Sequence, residues 1–80
     1  MAKRTWFYPE LRLDLGRERI NVNSLEQAAQ ILMSDDWPLH DRTCERAAET
    51  LIKALLGDVG VDDARQAFET AARKARVLVR

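Results

Sequence analysis

Trp6-Phe7-Tyr8-Pro9-Glu10-Leu11-Arg12-Leu13-Asp14-Leu15, then Gly16-Arg17-Glu18, then Arg19-Ile20-Asn21-Val22, is the stretch that decides the fold. Leu11, Leu13 and Leu15 alternate with Arg12 and Asp14, the period of two that gives a strand one buried face. Gly16 to Glu18 forms a short polar connection, after which the alternation resumes. The pattern predicts a β-hairpin with strands over about 6–15 and 19–22. Pro9 has no N–H to offer a ladder, so the first strand is expected to begin at an edge or a bulge. Three successive aromatics cannot all face the core. At least one of Trp6, Phe7 and Tyr8 therefore points outward, and an outward aromatic beside an edge strand is an interface feature.

Downstream the period changes to that of a helix. Ser24 followed by Gln27 has capping-box spacing, and Leu25, Ala28, Ala29 and Leu32 then share one face, which predicts a helix over about 24–34. It ends before Pro38, whose ring disfavours a helical Trp37. Asp41 is a second N-cap candidate. Cys44, Ala47, Ala48, Leu51 and Leu55 follow at helical spacing, and Gly57 is a natural stop, so the second helix is expected over about 42–56. After the tight Asp58-Val59-Gly60 link, Asp62 and Asp63 meet the positive end of a third helix, expected over about 61–76. Ala64, Ala67, Phe68, Ala71, Ala72 and Ala75 form its buried stripe. Alanines bury little area but let backbones approach closely, which leaves Phe68 as the anchor. Val77-Leu78-Val79 either extends this helix or forms a short third strand. The strand is favoured, because a lone two-stranded hairpin is marginal in water and its open edge gains from a partner. The fold class is α+β, an N-terminal β-hairpin followed by three amphipathic helices in a single domain of 80 residues.

Composition narrows the function classes. Cys44 is the only cysteine, which rules out an internal disulfide and fits a reducing compartment, so a cytoplasmic protein is expected. The basic start is followed by Pro9, Glu10, Arg12 and Asp14 rather than by the apolar run of a signal peptide, and no stretch reads as a membrane span. Thirteen basic and thirteen acidic residues balance. The global positive field that drives sequence-independent nucleic-acid binding is therefore missing. Arg73, Lys74, Arg76 and Arg80 do cluster near the end, where cations suit the C-terminal end of a helix dipole.

Candidate chemistry is sparse. His40, Asp41 and Cys44 are the one group with catalytic residue types, and a cysteine near a helix N-terminus can have its thiolate stabilised. The spacing of Cys44 places it on the apolar face instead, where a cysteine acts as a small hydrophobe. A metal site would have to draw carboxylates from Asp35, Asp36 or Asp41 to join one histidine and one cysteine, and these acids read as loop solvation. The second and third helices imitate a helix-turn-helix with Arg65, Arg73, Lys74 and Arg76 as contacts, but Asp62 and Asp63 put the wrong charge at the recognition end. Trp37 either plugs the gap between helices or anchors a partner, and the plug is favoured.

Trp37-Pro38, the helix end Ala54-Leu55-Leu56-Gly57, the run Ala64-Arg65-Gln66-Ala67-Phe68 with Ala71-Ala72, and Ser24-Leu25-Glu26-Gln27-Ala28-Ala29 together resemble the small bacterial family known as domain of unknown function 982, found in rhizobia and related alphaproteobacteria. The resemblance implies an α+β bacterial cytoplasmic protein and no assigned activity. Family members often carry a cysteine in the middle of the second helix, where this chain has Leu51, a departure that argues against a shared thiol function.

The expectation that follows is a non-enzymatic interaction module without cofactor, metal or catalytic residues. With no covalent staple available to so small a scaffold, it is expected to self-associate as a homodimer through the hairpin edge, with Trp6, Phe7, Tyr8 and Trp37 as the candidate interface and room for a further protein partner. A nucleic-acid-associated regulator using the basic last helix is the alternative, and a thiol enzyme at Cys44 the weakest reading.

Overall fold

The alternation around Leu11 is realised as strand β1, Trp6–Asp14, paired antiparallel with β2, Arg19–Ser24. The computed structural model describes residues 4–16, 18–38 and 40–79. Leu11 pairs with Val22 and Leu13 with Ile20, while Trp6 pairs with Ser24. Between those points β1 advances five residues and β2 only two, so the ladder is interrupted by a bulge around Pro9, where no N–H is lost from the pairing. At the turn, Leu15 N–H donates to Glu18 O and the Asp14 carboxylate accepts from Gly16 N–H, with Gly16 at φ 91°.

Three helices follow: α1, Leu25–Leu32; α2, Arg42–Leu55; and α3, Val61–Lys74. Ser24 caps α1 through Gln27 N–H, and Asp41 caps α2 through Cys44 N–H at 3.1 Å. Helix α1 ends two residues before the expected Ser34, because the Ser34 hydroxyl and N–H both turn back onto Ile31 O. Gly57, at φ 87°, ends α2 in a Schellman arrangement: its N–H reaches Ala54 O and that of Asp58 reaches Lys53 O.

Arg76 plays the same part after α3. Its N–H donates to Arg73 O and Val77 N–H to Ala72 O, with Arg76 in the left-handed region at φ 61°. A side chain there is strained, so Arg76→Gly is expected to raise stability by about 0.5–1 kcal/mol, a few degrees of Tm, measured by urea denaturation. The turn also corrects the expected third strand. The chain leaves α3 sharply and, among the described residues, makes one β-bridge, Leu13 with Leu78, rather than a strand.

Helices α2 and α3 form an antiparallel helical hairpin closed at its far end. The Lys74 ammonium lies 2.9 Å from the Asp41 carboxylate and donates to the Thr43 hydroxyl at 3.0 Å. Alanines at the facing positions, Ala47 and Ala54 on α2 with Ala64, Ala71 and Ala72 on α3, allow the close approach. One apolar cluster joins Phe7, Leu11, Leu13 and Val22 of the hairpin to Leu25, Leu32, Trp37, Leu51 and Phe68.

The hydrogen bond from Lys74, then that from Cys44 N–H, holds the Asp41 carboxyl below its ordinary value. A depressed folded-state value contributes stability that is present above the unfolded carboxylate range and lost as pH falls through the folded value. Acid denaturation of Asp41→Asn, which keeps a cap but no charge, is therefore expected to be shallower below about pH 4 than that of the parent chain.

Candidate interaction surface

The strand period sorts the aromatic triplet. Phe7 points inward with Leu11 and Leu13 and is buried, whereas Trp6 and Tyr8 point outward and are 60% and 79% exposed. Two of the four expected interface residues are thereby corrected. Phe7 lies in the core, and Trp37 is the plug, 1% exposed and tilted against Phe68 with ring centroids 5.7 Å apart.

Trp6 and Tyr8 are held in place by α3. The Arg4 guanidinium sits 4.8 Å from the Trp6 ring centroid, donates to Trp6 O at 3.0 Å and pairs with Asp62 at 3.2 Å. On the other side of Tyr8, Arg65 donates from Nε to Pro9 O at 2.8 Å, while its Nη1 pairs with Glu69. The bulge that carries Tyr8 is thus fixed to α3 on both flanks. A shallow groove runs along this outward face, lined by Trp6, Phe7, Tyr8, Pro9, Glu10, Arg12 and Asn23.

Both edges of the hairpin are partly covered towards its turn. On β1, Asp14 N–H donates to Val77 O at 2.8 Å and Arg12 O accepts from Val79 N–H at 2.9 Å. On β2, the Gln27 carboxamide donates to Asn21 O at 2.9 Å and accepts from Asn23 N–H at 3.4 Å, standing where the peptide group of a further strand would lie. Gln27 thus turns outward to the strand rather than back to the cap residue expected of a capping box.

Cys44 is buried and its Sγ faces Leu32 O at 3.9 Å. Burial pushes its thiol up, and the Asp41 and Glu45 carboxylates add to the shift, outweighing the helix dipole. Its alkylation at neutral pH is expected to be slower than that of a small-molecule thiol by at least about tenfold and to reach the free-thiol rate only in denaturant, measured with iodoacetamide. His40 is exposed in the α1–α2 connection. Among the described residues, no three His, Cys, Asp or Glu side chains gather as metal ligands would. The basic residues of α3 are committed elsewhere: Arg65 and Arg73 share Glu69, and Lys74 is bound to Asp41. No helix among the described residues is long and apolar enough to cross a membrane.

The model of a family described as protein of unknown function, DUF982, matches residues 10–79. The chain belongs to the DUF982 family. No curated protein and no solved structure matches it significantly. The DUF982 match takes in the Trp37 plug, the helical hairpin and the β-bridge, and begins at Glu10, so that Arg4, Trp6 and Tyr8 precede the matched segment.

Two contributors to this surface carry no signal in the sequence. Arg4 and Glu10 carry no motif, and both are exposed beside the aromatic pair. Met33, Ile52 and Leu56 are also exposed, at 58%, 43% and 65%. Ile52 lies on α2 and Leu56 one turn on, at its C-cap, away from the aromatic pair in sequence.

Proposed function

We propose that this chain is a non-enzymatic interaction module of the cytoplasm that self-associates as a homodimer through the aromatic outward face of its hairpin. The observation that carries the reading is the pairing of Trp6 and Tyr8, both largely exposed, on a segment pinned by Arg4 and Arg65. Exposed rings held in one geometry lose little entropy on binding and are the usual anchors of protein interfaces. A zero net charge adds no repulsion between copies. Protein association is favoured over nucleic-acid binding because the cations of α3 already have partners, Arg65 and Arg73 in Glu69 and Lys74 in Asp41. It is favoured over thiol chemistry because Cys44 is buried and hard to ionise.

The test is the dependence of Tm on protein concentration. A module stabilised by its own association melts at a temperature that rises with concentration, whereas a monomer does not. A concentration-independent Tm across the micromolar range, with a monomeric mass, would sink the reading.

A further inference from the structure

Antiparallel strands turn the backbone groups of alternate residues away from their partner, so a two-stranded hairpin has two outward ladders to satisfy. On β1 the ladder is met at Arg12 and Asp14 by the Val77 to Val79 segment. On β2 it is met at Asn21 and Asn23 by one side chain, Gln27, whose carboxamide donates to Asn21 O at 2.9 Å and accepts from Asn23 N–H at 3.4 Å. A residue of a parallel neighbouring strand bonds in the same way, donating to the residue before its opposite number and accepting from the residue after, here on either side of Val22. We propose that Gln27 is a built-in cover that keeps β2 from pairing with the β2 of a second copy, and that removing its carboxamide opens this edge.

The placement of Gln27 is fixed independently of the edge. Its backbone N–H donates to the Ser24 hydroxyl at 3.2 Å, which sets the residue in the first turn of α1 and leaves the carboxamide free to reach the strand. Asn21 and Asn23 are both exposed, so the groups that Gln27 holds lie at the surface. Uncovered, this edge is complementary to itself. With two β2 strands set antiparallel about a two-fold axis at Asn21, the Asn21 residues exchange both of their backbone bonds and Arg19 of each copy lies opposite Asn23 of the other. Of these outward residues only Arg19 is charged, and it does not face itself, so charge alone does not keep the copies apart. The neutral carboxamide does so by occupying the bonds that a second strand would use. Such pairing is distinct from association through the aromatic face, and the test separates the two.

Sedimentation velocity is run on Tyr8→Ala, chosen to remove the aromatic contact, and on the same chain with Gln27→Ala or Gln27→Lys added. Circular dichroism checks folding, and amide hydrogen exchange reads Asn21 and Asn23. Alanine keeps the backbone cap and suits a helix, but leaves Asn21 O and Asn23 N–H open. It is expected to strengthen self-association by at least about tenfold and to protect the Asn21 amide as concentration rises. Lysine returns a donor to Asn21 O and puts a charge on the edge, and is expected to associate no more than its background. An alanine variant that associates no more than its background, or that associates without protecting Asn21, overturns the proposal, as does a lysine variant that associates like the alanine one. If alanine unfolds the chain, the dilute parent decides: Asn23 exchange at least about tenfold slower than in an unstructured peptide supports the cover, and exchange at the unstructured rate overturns it. Each Gln27 variant is read against its own background, so dimerisation of Tyr8→Ala itself counts against the aromatic face and leaves the comparison at Gln27 intact.

Discussion

Trp37→Ala is expected to leave the chain unfolded or barely folded at room temperature. Trp37 is the largest fully buried side chain and fills the space where the α1–α2 connection meets Phe68 of α3. Removing a buried aromatic to alanine costs about 3–5 kcal/mol, transfer and cavity together. A domain of 80 residues has only about 4–12 kcal/mol in total. The loss is therefore a quarter or more of everything that holds the fold. Trp37→Phe separates size from polarity. The indole Nε1 is buried with no hydrogen-bond partner among the described residues, so the native tryptophan carries a desolvation cost that phenylalanine removes. The smaller ring leaves a modest void, and the two effects oppose each other. Trp37→Phe is expected to cost under about 2 kcal/mol, with the fold retained. Urea titration followed by circular dichroism measures both variants, and similar losses for the two would contradict the plug.

Tyr8→Ala is expected to do the opposite, abolishing association while sparing the monomer. Its ring is 79% exposed and fills no part of the core, so the unfolding free energy of the monomer should change by less than about 0.5 kcal/mol. At a two-fold interface each substitution is counted twice. A loss of about 2 kcal/mol per copy at a central aromatic corresponds to roughly a thousandfold in the dimer constant. Trp6→Ala should behave alike, with a small additional loss of stability because the Arg4 guanidinium packs on that ring. Ile52→Ala on α2 is the control. It removes an exposed apolar side chain elsewhere and should leave association unchanged. If Ile52→Ala disrupts association and Tyr8→Ala does not, the interface lies on the helical face.

What was legible in the sequence was the local part of the fold. Ser24, Asp41 and Gly57 act through groups within five residues of themselves, and each does what its type and spacing announced. The leucine alternation placed Leu11 and Leu13 in the core. Features that depend on residues distant in the chain were not legible. Lys74 reads as a cation at a helix end, yet its partner Asp41 caps a different helix. Gln27 reads as half of a capping box, and only the position of β2 shows that its carboxamide covers a strand edge. The tail reads as β-forming by composition, but Arg76 in a left-handed turn sets its direction and leaves one bridge. The site was half legible. Parity says that the triplet must split between inside and outside, but a bulge lies between it and the Leu11–Val22 pair, so the register there does not say which members turn out, and only the packed core shows Phe7 inside.

Sedimentation equilibrium of the parent chain beside Tyr8→Ala, over the micromolar concentration range at neutral pH, tests the central claim most directly. The account predicts a parent whose mean mass climbs from monomer to dimer with concentration and stops there, and a folded Tyr8→Ala that stays monomeric throughout. A parent that remains monomeric at the highest concentration, or a Tyr8→Ala variant that dimerises as the parent does, would contradict it.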